Sequence, residues 1–517
     1  MKVLTAAQMR EVDRRMIELG IPGIVLMENA GHRVVEFLAE KFSPLSGHRI
    51  IVFCGKGNNG GDGFVVARQL FTRWKPAALH VVLTASPEEL KGDAAENYRM
   101  LRACGCCPVS ADLAPEMHSA TLVIDALLGT GIKGSVSGAY LELIRAINSG
   151  FPAAKVVAVD IPSGLASDSG ECEGEAVKAD YTVTFTALKV SQALPPACDR
   201  MGEVIVRQIG TPPDLYERDD SIFLSQIHPA QFRHLLRARV PGGHKGTYGH
   251  VMVVGGSRGK SGAAAMTGMA AVRAGAGLVT VASASSAIDV IAAHAPELMT
   301  EPLAETASGG ISIQSYDDGR LSGLVRNKDV IAIGPGLGGD SETVELVRQV
   351  FANCPHPMVV DADGLNALVG RDLQTKGRLR ILTPHPGEMS RLTGLATAAI
   401  LKDRVDIARA FAQEHGVILV LKGQRTLLAF PDGRVWINPT GTPALATGGT
   451  GDILTGIAAG FLAQFPDEPE NAVAAAVYLH GLAGQIGERT LGDKSLAATD
   501  LLEYLPEAMR ECTRLPD

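Results

Sequence analysis

Short β-branched hydrophobic runs separated by longer helical stretches organise most of this chain. In the first half the runs cover residues 49–54, 78–84, 121–125, 156–160, 181–185 and 204–206, and each reads as a strand. Strands that alternate with helices in this way predict a parallel sheet with helices on both faces. Ahead of them, residues 6–19 and 28–41 read as helices that cap the sheet. The rhythm breaks across residues 210–229, where Pro212, Pro213, Asp219 and Asp220 fall close together, and it resumes at His250. A domain boundary belongs in that break. The second half repeats the alternation with runs at 250–254, 278–282, 330–333, 358–361, 379–382 and 417–421, which predicts a second α/β sheet.

Composition supports two domains and narrows their partners. The 517 residues exceed the roughly 250–300 that one core serves. Charged residues at 20%, hydrophobic residues at 46% and aromatic residues at 5% describe an ordinary globular chain. A formal charge of −8 leaves no basic surface for nucleic acid, so any anionic ligand has to be held locally by loops and helix ends. No apolar run approaches the ~20 residues of a membrane span. Arg10, Glu11, Asp13, Arg14 and Arg15 interrupt the start before a signal core could form, so a cytoplasmic location is expected. The eight cysteines are scattered. Their one cluster, Cys104, Cys106 and Cys107, lacks the paired spacing or nearby histidine of a zinc site and reads as free thiols in a reducing compartment.

Glycine-rich turns at strand ends carry the candidate chemistry, because ligands of open α/β sheets bind at the carboxyl ends of strands. After the 49–54 strand comes Gly55-Lys56-Gly57-Asn58-Asn59-Gly60-Gly61-Asp62-Gly63, with a helix expected from Phe64. Gly55, Gly57 and Gly60 satisfy G-x-G-x-x-G, which brings backbone amides close to a phosphate. The next strand ends His80-Val81-Val82-Leu83-Thr84-Ala85-Ser86, without the acidic residue that grips a ribose, so a plain NAD dehydrogenase is disfavoured. Two further strand ends offer Asp125 ahead of Gly129-Thr130-Gly131-Ile132-Lys133-Gly134-Ser135, and Val159-Asp160-Ile161-Pro162-Ser163-Gly164. Asn59, Asp125 and Ser163 present only oxygen ligands of the type hard cations prefer, and could seat a monovalent cation. The bland alternative makes Asp125 and Asp160 helix or turn caps, which their joint position at strand ends disfavours. Lys189, in Thr186-Ala187-Leu188-Lys189, is a weaker candidate, because a lone lysine at a strand end is usually solvated.

These motifs, NNGGDG, the Asp125 strand with GTGIKGS, and VDIPSGL, resemble the NAD(P)H-hydrate epimerase family over residues 1–215. The resemblance implies that Asn58, Asn59, Gly60, Gly61 and Asp62, with Gly129, Thr130, Gly131, Ile132, Lys133, Gly134 and Ser135, bind the hydrated nucleotide. It further implies that Asn59, Asp125 and Ser163 bind potassium and that Asp160 touches the substrate. Hydroxide has to leave and return at carbon six of the reduced ring, which asks for a carboxyl acting as acid and base. Asp160 is the candidate.

In the second half, Gly255-Gly256-Ser257-Arg258-Gly259-Lys260-Ser261-Gly262 misses a P-loop by one residue, since Val254 stands where glycine is required. Four further segments fall at strand ends or helix starts: Gly334-Pro335-Gly336-Leu337-Gly338, Asp361-Ala362-Asp363-Gly364, Thr383-Pro384-His385-Pro386-Gly387-Glu388, and Lys422-Gly423-Gln424-Arg425-Thr426. Gly448-Gly449-Thr450-Gly451-Asp452 runs straight into a helix. A glycine turn there aims free amides at an anion, with an aspartate beside it to take a proton from an attacking hydroxyl. His385 fits a turn residue as well as a ligand contact.

Together GTYGHVMVVGGS, RAGAGLVTVA, GPGLG, VDADGLN, TPHPGE, the Lys422 loop and ATGGTGD resemble the ADP-dependent NAD(P)H-hydrate dehydratase family, a ribokinase-like fold, over residues 226–510. The resemblance implies that Lys422, Gly423, Gln424, Arg425, Thr426 and Gly451 hold the adenine nucleotide, with magnesium. Ala276, Gly338, His385 and Asp452 would contact the hydrate. Asp452 would be the base that lets the ring hydroxyl attack the terminal phosphorus of ADP. The implied partners are hydrated NADH, hydrated NADPH and ADP, and the chain is compatible with a homo-oligomer. A ribokinase-like small-molecule kinase with an accessory nucleotide-binding domain is the rival enzyme. A non-catalytic nucleotide sensor is the rival from another class.

Overall fold

The computed structural model describes residues 1–109, 113–132 and 134–514. The chain forms two compact units, Met1–Leu224 and a second that begins at Ser225.

Among the described residues the first unit holds a six-stranded, all-parallel sheet. Its order is Ala78–Leu83, Arg49–Cys54, Leu122–Ala126, Lys155–Val159, Tyr181–Phe185 and Glu203–Arg207. Each predicted strand is present, with ends shifted by a residue or two. The chain's first two sheet strands lie in reversed order, so the direction of winding switches between Arg49–Cys54 and Leu122–Ala126. A crevice at such a switch point is where doubly wound sheets take ligands.

The helix after the first strand begins at Asn58, so the NNGGDG motif forms its opening turns rather than a loop ahead of Phe64. Glycine is a poor helix former, but packing demands it here. A Cβ on Gly60 would lie 1.8 Å from the Gly55 carbonyl oxygen, and one on Gly55 would lie 1.8 Å from that of Leu127. The sequence pattern also missed a two-residue parallel pairing of Val3–Leu4 with Leu188–Lys189, too short to carry a period.

The second unit has a ten-stranded sheet among the described residues. Seven strands run parallel, in the order Met299–Leu303, Leu278–Ala284, His250–Val254, Val330–Ile333, Met358–Val360, Arg380–Leu382 and Ile418–Leu421. Leu427–Ala429 and Val435–Ile437 follow antiparallel, and Leu224–Gln226 lies at the edge. Here the winding reverses between His250–Val254 and Val330–Ile333. The edge strand Met299–Leu303 was not predicted because Thr300, Glu301 and Pro302 break its apolar pattern. The three-residue strands near 427 and 435 were too short to declare themselves.

Helix Thr450–Gln464 lies directly on helix Ser261–Arg273. Gly456 and Gly460 make this approach possible: Cβ atoms there would lie 2.1 Å from the Thr267 carbonyl oxygen and 2.8 Å from that of Ala271. No helix among the described residues is long and apolar enough to cross a membrane.

Candidate active sites

The first site gathers at the switch point of the N-terminal sheet. Asp125 is fully buried and accepts hydrogen bonds from the Ser163 hydroxyl at 2.6 Å, the Ser163 amide at 2.8 Å and the Leu127 amide at 3.3 Å. Burial raises its pKa to about 6, against the pull of those donors. The Asn59 amide donates to the Leu128 carbonyl at 3.0 Å, while the Leu128 amide donates to Ser163 Oγ at 2.9 Å. Asn59, Asp125 and Ser163 therefore converge on one short segment, and the hydroxyl and the Leu127 and Leu128 backbone groups bind them together.

Asp160 follows the strand Lys155–Val159 with φ of 63°, a conformation that a non-glycine residue seldom adopts. The Ile161 amide donates to the Val159 carbonyl at 2.8 Å across it, which makes a three-residue γ-turn of the rare, strained hand. Thr186, after the neighbouring strand, repeats the motif with φ of 67° and an Ala187 amide to Phe185 carbonyl bond of 2.7 Å. Surrounding bonds fix the strained aspartate: Lys189 Nζ donates to Oδ1 at 2.5 Å, Thr184 Oγ1 at 2.9 Å, and Gln192 donates to its carbonyl at 2.6 Å. Lys189 is 2% exposed. This corrects the expectation of a solvated lysine, because its pairing with Val3–Leu4 turns it inward.

Two further carboxylates face this pair. Asp62 is pushed well above the usual carboxylate range by burial, then by Asp160 and Asp13, against Lys189. Asp13 is raised by burial and Asp160 in the same way, opposed by Lys189. Sequence reasoning missed Asp13, since nothing local sets it apart from Glu11 and Glu18 on the Ala6–Glu18 helix. Of the loop after Asp125, Gly129 packs on Asn59, and the Thr130 carbonyl accepts from Ser167 at 3.3 Å. Asn58, Gly131, Gly134 and Ser135 are exposed, and Ile132 is half-buried. Lys133 lies outside the described residues.

The second site occupies the carboxyl ends of the C-terminal parallel strands. Asp361 is buried, accepting from Lys422 Nζ at 2.6 Å and from Thr455 Oγ1 at 2.8 Å. Lys422 also lies 3.7 Å from Glu388. Burial would lower the lysine's pKa, but Asp361, Glu388 and Asp452 outweigh it and raise the value. Gly451 lies against this pair: a Cβ there would be in ordinary contact, 3.4 Å from Lys422 Nζ and 3.6 Å from Asp361.

Asp452 sits in the first turn of helix Thr450–Gln464. Burial raises its pKa to about 6, helped by Asp361, Asp363 and Glu388 and opposed by Lys422. Asp363 accepts the Gly338 amide at 2.8 Å and pairs with Lys260 at 3.4 Å, which ties the Gly334–Gly338 turn to the cluster. His385 caps helix Pro386–Thr393: its Nδ1 accepts from the amides of Gly387 at 3.0 Å and Glu388 at 3.3 Å. Glu388 closes the box by accepting the His385 amide at 2.8 Å. The imidazole's other nitrogen, Nε2, lies 3.5 Å from Glu388 Oε1, and about half of the side chain is exposed.

Ala276 is not part of this gathering. It precedes strand Leu278–Ala284, at the amino edge of the sheet, where its amide bonds to Ala271. The adjoining Ala274 carbonyl accepts from Gln464, at the far end of the Asp452 helix. Twelve residues of helix put that end about 18 Å from Asp452. Ala263 instead packs beside the Gly336 turn, 3.1 Å from where a Gly336 Cβ would be. The RAGAG segment resembles a binding loop in composition, but its glycines serve a turn at the opposite edge.

Geometry and topology define a chain of two doubly wound α/β units, each with an aspartate beyond the carboxyl edge of its parallel sheet. A family model described as YjeF-related protein N-terminus matches residues 23–191, and one described as NAD(P)H-hydrate dehydratase matches residues 251–507. The bifunctional NAD(P)H-hydrate repair enzyme of Moorella thermoacetica is 43% identical, covering 99% of this chain and 97% of its own. That of Thermofilum pendens is 37% identical, covering 99% and 96%. The ADP/ATP-dependent NAD(P)H-hydrate dehydratase from Bacillus subtilis, co-crystallised with ATP and Mg2+, is 34% identical with a TM-score of 0.50, covering 56% of this chain and 98% of its own. The chain belongs to the family of bifunctional NAD(P)H-hydrate repair enzymes.

Proposed function

We propose that residues 1–215 interconvert the R and S epimers of hydrated NADH and NADPH, and that residues 226–510 dehydrate the S epimer with ADP. AMP and phosphate are the by-products. The observation that carries the reading is Asp452, a carboxylate with a raised pKa at a glycine-led helix start, beside Lys422 and Gly451.

Hydroxide leaves poorly, so Asp452 takes the proton of the ring hydroxyl as its oxygen bonds to the terminal phosphorus of ADP and the bond to AMP breaks. Phosphate then leaves carbon six as the ring nitrogen lone pair forms an iminium, and loss of a proton from carbon five restores the dihydropyridine. Lys422 to Thr426 and Gly451 hold ADP, while Gly338, His385 and Asp452 face the hydrate. Surplus negative charge from Asp361, Asp363, Glu388 and Asp452 against Lys422 suits magnesium carried on the phosphates.

In the N-terminal unit, Asn58 to Asp62 and Gly129 to Ser135 cradle the hydrated nucleotide. Asp160 accepts the proton of the returning water. Asp62, whose pKa is raised by burial and by the neighbouring Asp160, is the complementary acid for the departing hydroxyl. Asn59, Asp125 and Ser163 fit potassium, because Asp125 is a buried carboxylate whose bonds all come from neutral donors. The ion would offset that charge and fix the loops around the nucleotide phosphates.

Restoration of the reduced-nicotinamide absorbance from a mixture of epimers, with and without ADP, tests the whole scheme. Full recovery only with ADP supports it. A kinase without repair activity would phosphorylate a small alcohol and leave that absorbance unrestored. The two units on one chain favour repair, since a dehydratase specific for one epimer strands the other unless it is recycled.

A further inference from the structure

Arg404 opens helix Arg404–His415, and its side chain, 9% exposed, lies under the 422–426 loop. A buried guanidinium ordinarily pairs with a carboxylate. Among the described residues none pairs with this one, and burial alone pulls its pKa down. Its Nη1 donates to the Gln424 carbonyl at 2.7 Å and its Nη2 to the Arg425 carbonyl at 3.4 Å, while Nε has no partner.

The loop backbone is shaped to accept these bonds. Gly423 has φ of 143° and Arg425 φ of 55°. A Cβ on Gly423 would lie 3.3 Å from Arg404 Nη2. In a trans peptide the carbonyl and the following N–H point in opposite directions. With the Gln424 and Arg425 carbonyls drawn inward, the N–H groups of Arg425 and Thr426 face the outer side. Neither donates to another backbone group among the described residues. Bare, fixed amides above an uncompensated buried cation are the chemistry of an anion cradle.

We infer that Arg404 is a positioning residue for the diphosphate of ADP, orienting two peptide planes so that the Arg425 and Thr426 amides meet phosphate oxygens. The inference rests on the reading of 422–426 as the nucleotide loop.

The test uses the full-length protein, with ADP as the probe and Arg404→Met and Arg404→Lys as variants. Arg404→Met should raise KM for ADP at least about tenfold, the scale of losing a charge-assisted hydrogen bond, and leave kcat within about threefold. Arg404→Lys keeps the charge but loses the fork, so its KM should fall between Met and parent. Epimerisation should stay at the parent rate. A residue that only props the fold would lower kcat or the thermal midpoint at constant KM, and that outcome in either folded variant overturns the inference. Should Arg404→Met fail to fold, Arg404→Lys decides by the same criterion. A parent enzyme that dehydrates without ADP would sink the reading of the loop itself, in the parent alone.

Discussion

Asp160 and Asp452 occupy corresponding places, each just beyond the carboxyl edge of a parallel sheet, yet their surroundings differ in kind. Asp160 is held by Lys189, Thr184 and Gln192 in a backbone conformation that costs about 1–3 kcal/mol. Asp452 has a relaxed helical backbone, and what surrounds it is mostly negative charge. One aspartate is fixed in direction by direct bonds. The other is poised in affinity for a proton by burial and by neighbours of the same sign. A site that handles a proton at one ring carbon needs direction first. A site that makes an alcohol attack phosphorus needs a base of suitable strength, and a pKa near 6 lies close to the neutral range in which such a base works best.

The contrast breaks most directly at Asp452. Asp452→Asn keeps the shape and removes the proton acceptor, so dehydration should fall by roughly two to four orders of magnitude while ADP binding survives. Following an epimer mixture with ADP would reveal the loss, and near-parent turnover would remove the aspartate from its role. Next comes Asp160→Asn, which should slow epimerisation at least about a hundredfold with dehydration of the purified S epimer untouched. Lys189→Met should slow it too and lower the stability of the N-terminal unit, since breaking a buried pair costs about 3–5 kcal/mol. Loss of rate with an unchanged unfolding curve would argue against a pair that also holds the turn.

A smaller effect separates the two electrostatic settings. With Asp452 as the proposed base and its pKa raised to about 6, dehydration should drop roughly tenfold per pH unit below that value. Asp363→Asn removes one of the charges that raise it, so the acid limb should move to lower pH. An unmoved limb would remove Asp363 from the causes and leave burial with Asp361 and Glu388. Smallest is the potassium effect. Asp125 titrates at about 6, and only its ionised form attracts a cation, so half-saturating potassium for epimerisation should rise several-fold between pH 7 and pH 5. Full rate in tetramethylammonium buffer would dismiss the ion altogether.

Most of this architecture was legible because parallel strands buried on both faces leave strong apolar runs, and glycine turns mark their ends. The positions of Asp125, Asp160, Asp361 and Asp452 followed from that pattern. Beyond strands too short or too polar to carry a pattern, what stayed hidden were partners that meet only through the fold. Lys189 reads as an ordinary strand-end lysine until a two-residue strand from the amino terminus pairs beside it. Asp13 and Arg404 lie on helices whose periodicity gives no hint of what those side chains reach. Ala276 misled in the opposite sense, since a glycine-alanine run suggests a ligand loop at either edge of a sheet and only topology says which. The NNGGDG helix start was placed late because propensity argues against glycine there, while the contact that requires it lies on another segment.

The two glycines that let helix Thr450–Gln464 rest on its neighbour reach beyond packing. A stiff rod touching another through backbone alone cannot slide or tilt without collision, so the far end of that rod holds Asp452 as a lever holds its tip. Any side chain larger than hydrogen at Gly456, about a turn from the reacting oxygen, would lift the rod and swing the carboxylate out of line. Drift in sequence is therefore most narrowly bounded at a position that never meets the substrate, because the Thr267 carbonyl that an alanine there would strike belongs to the backbone and no change of side chain can withdraw it.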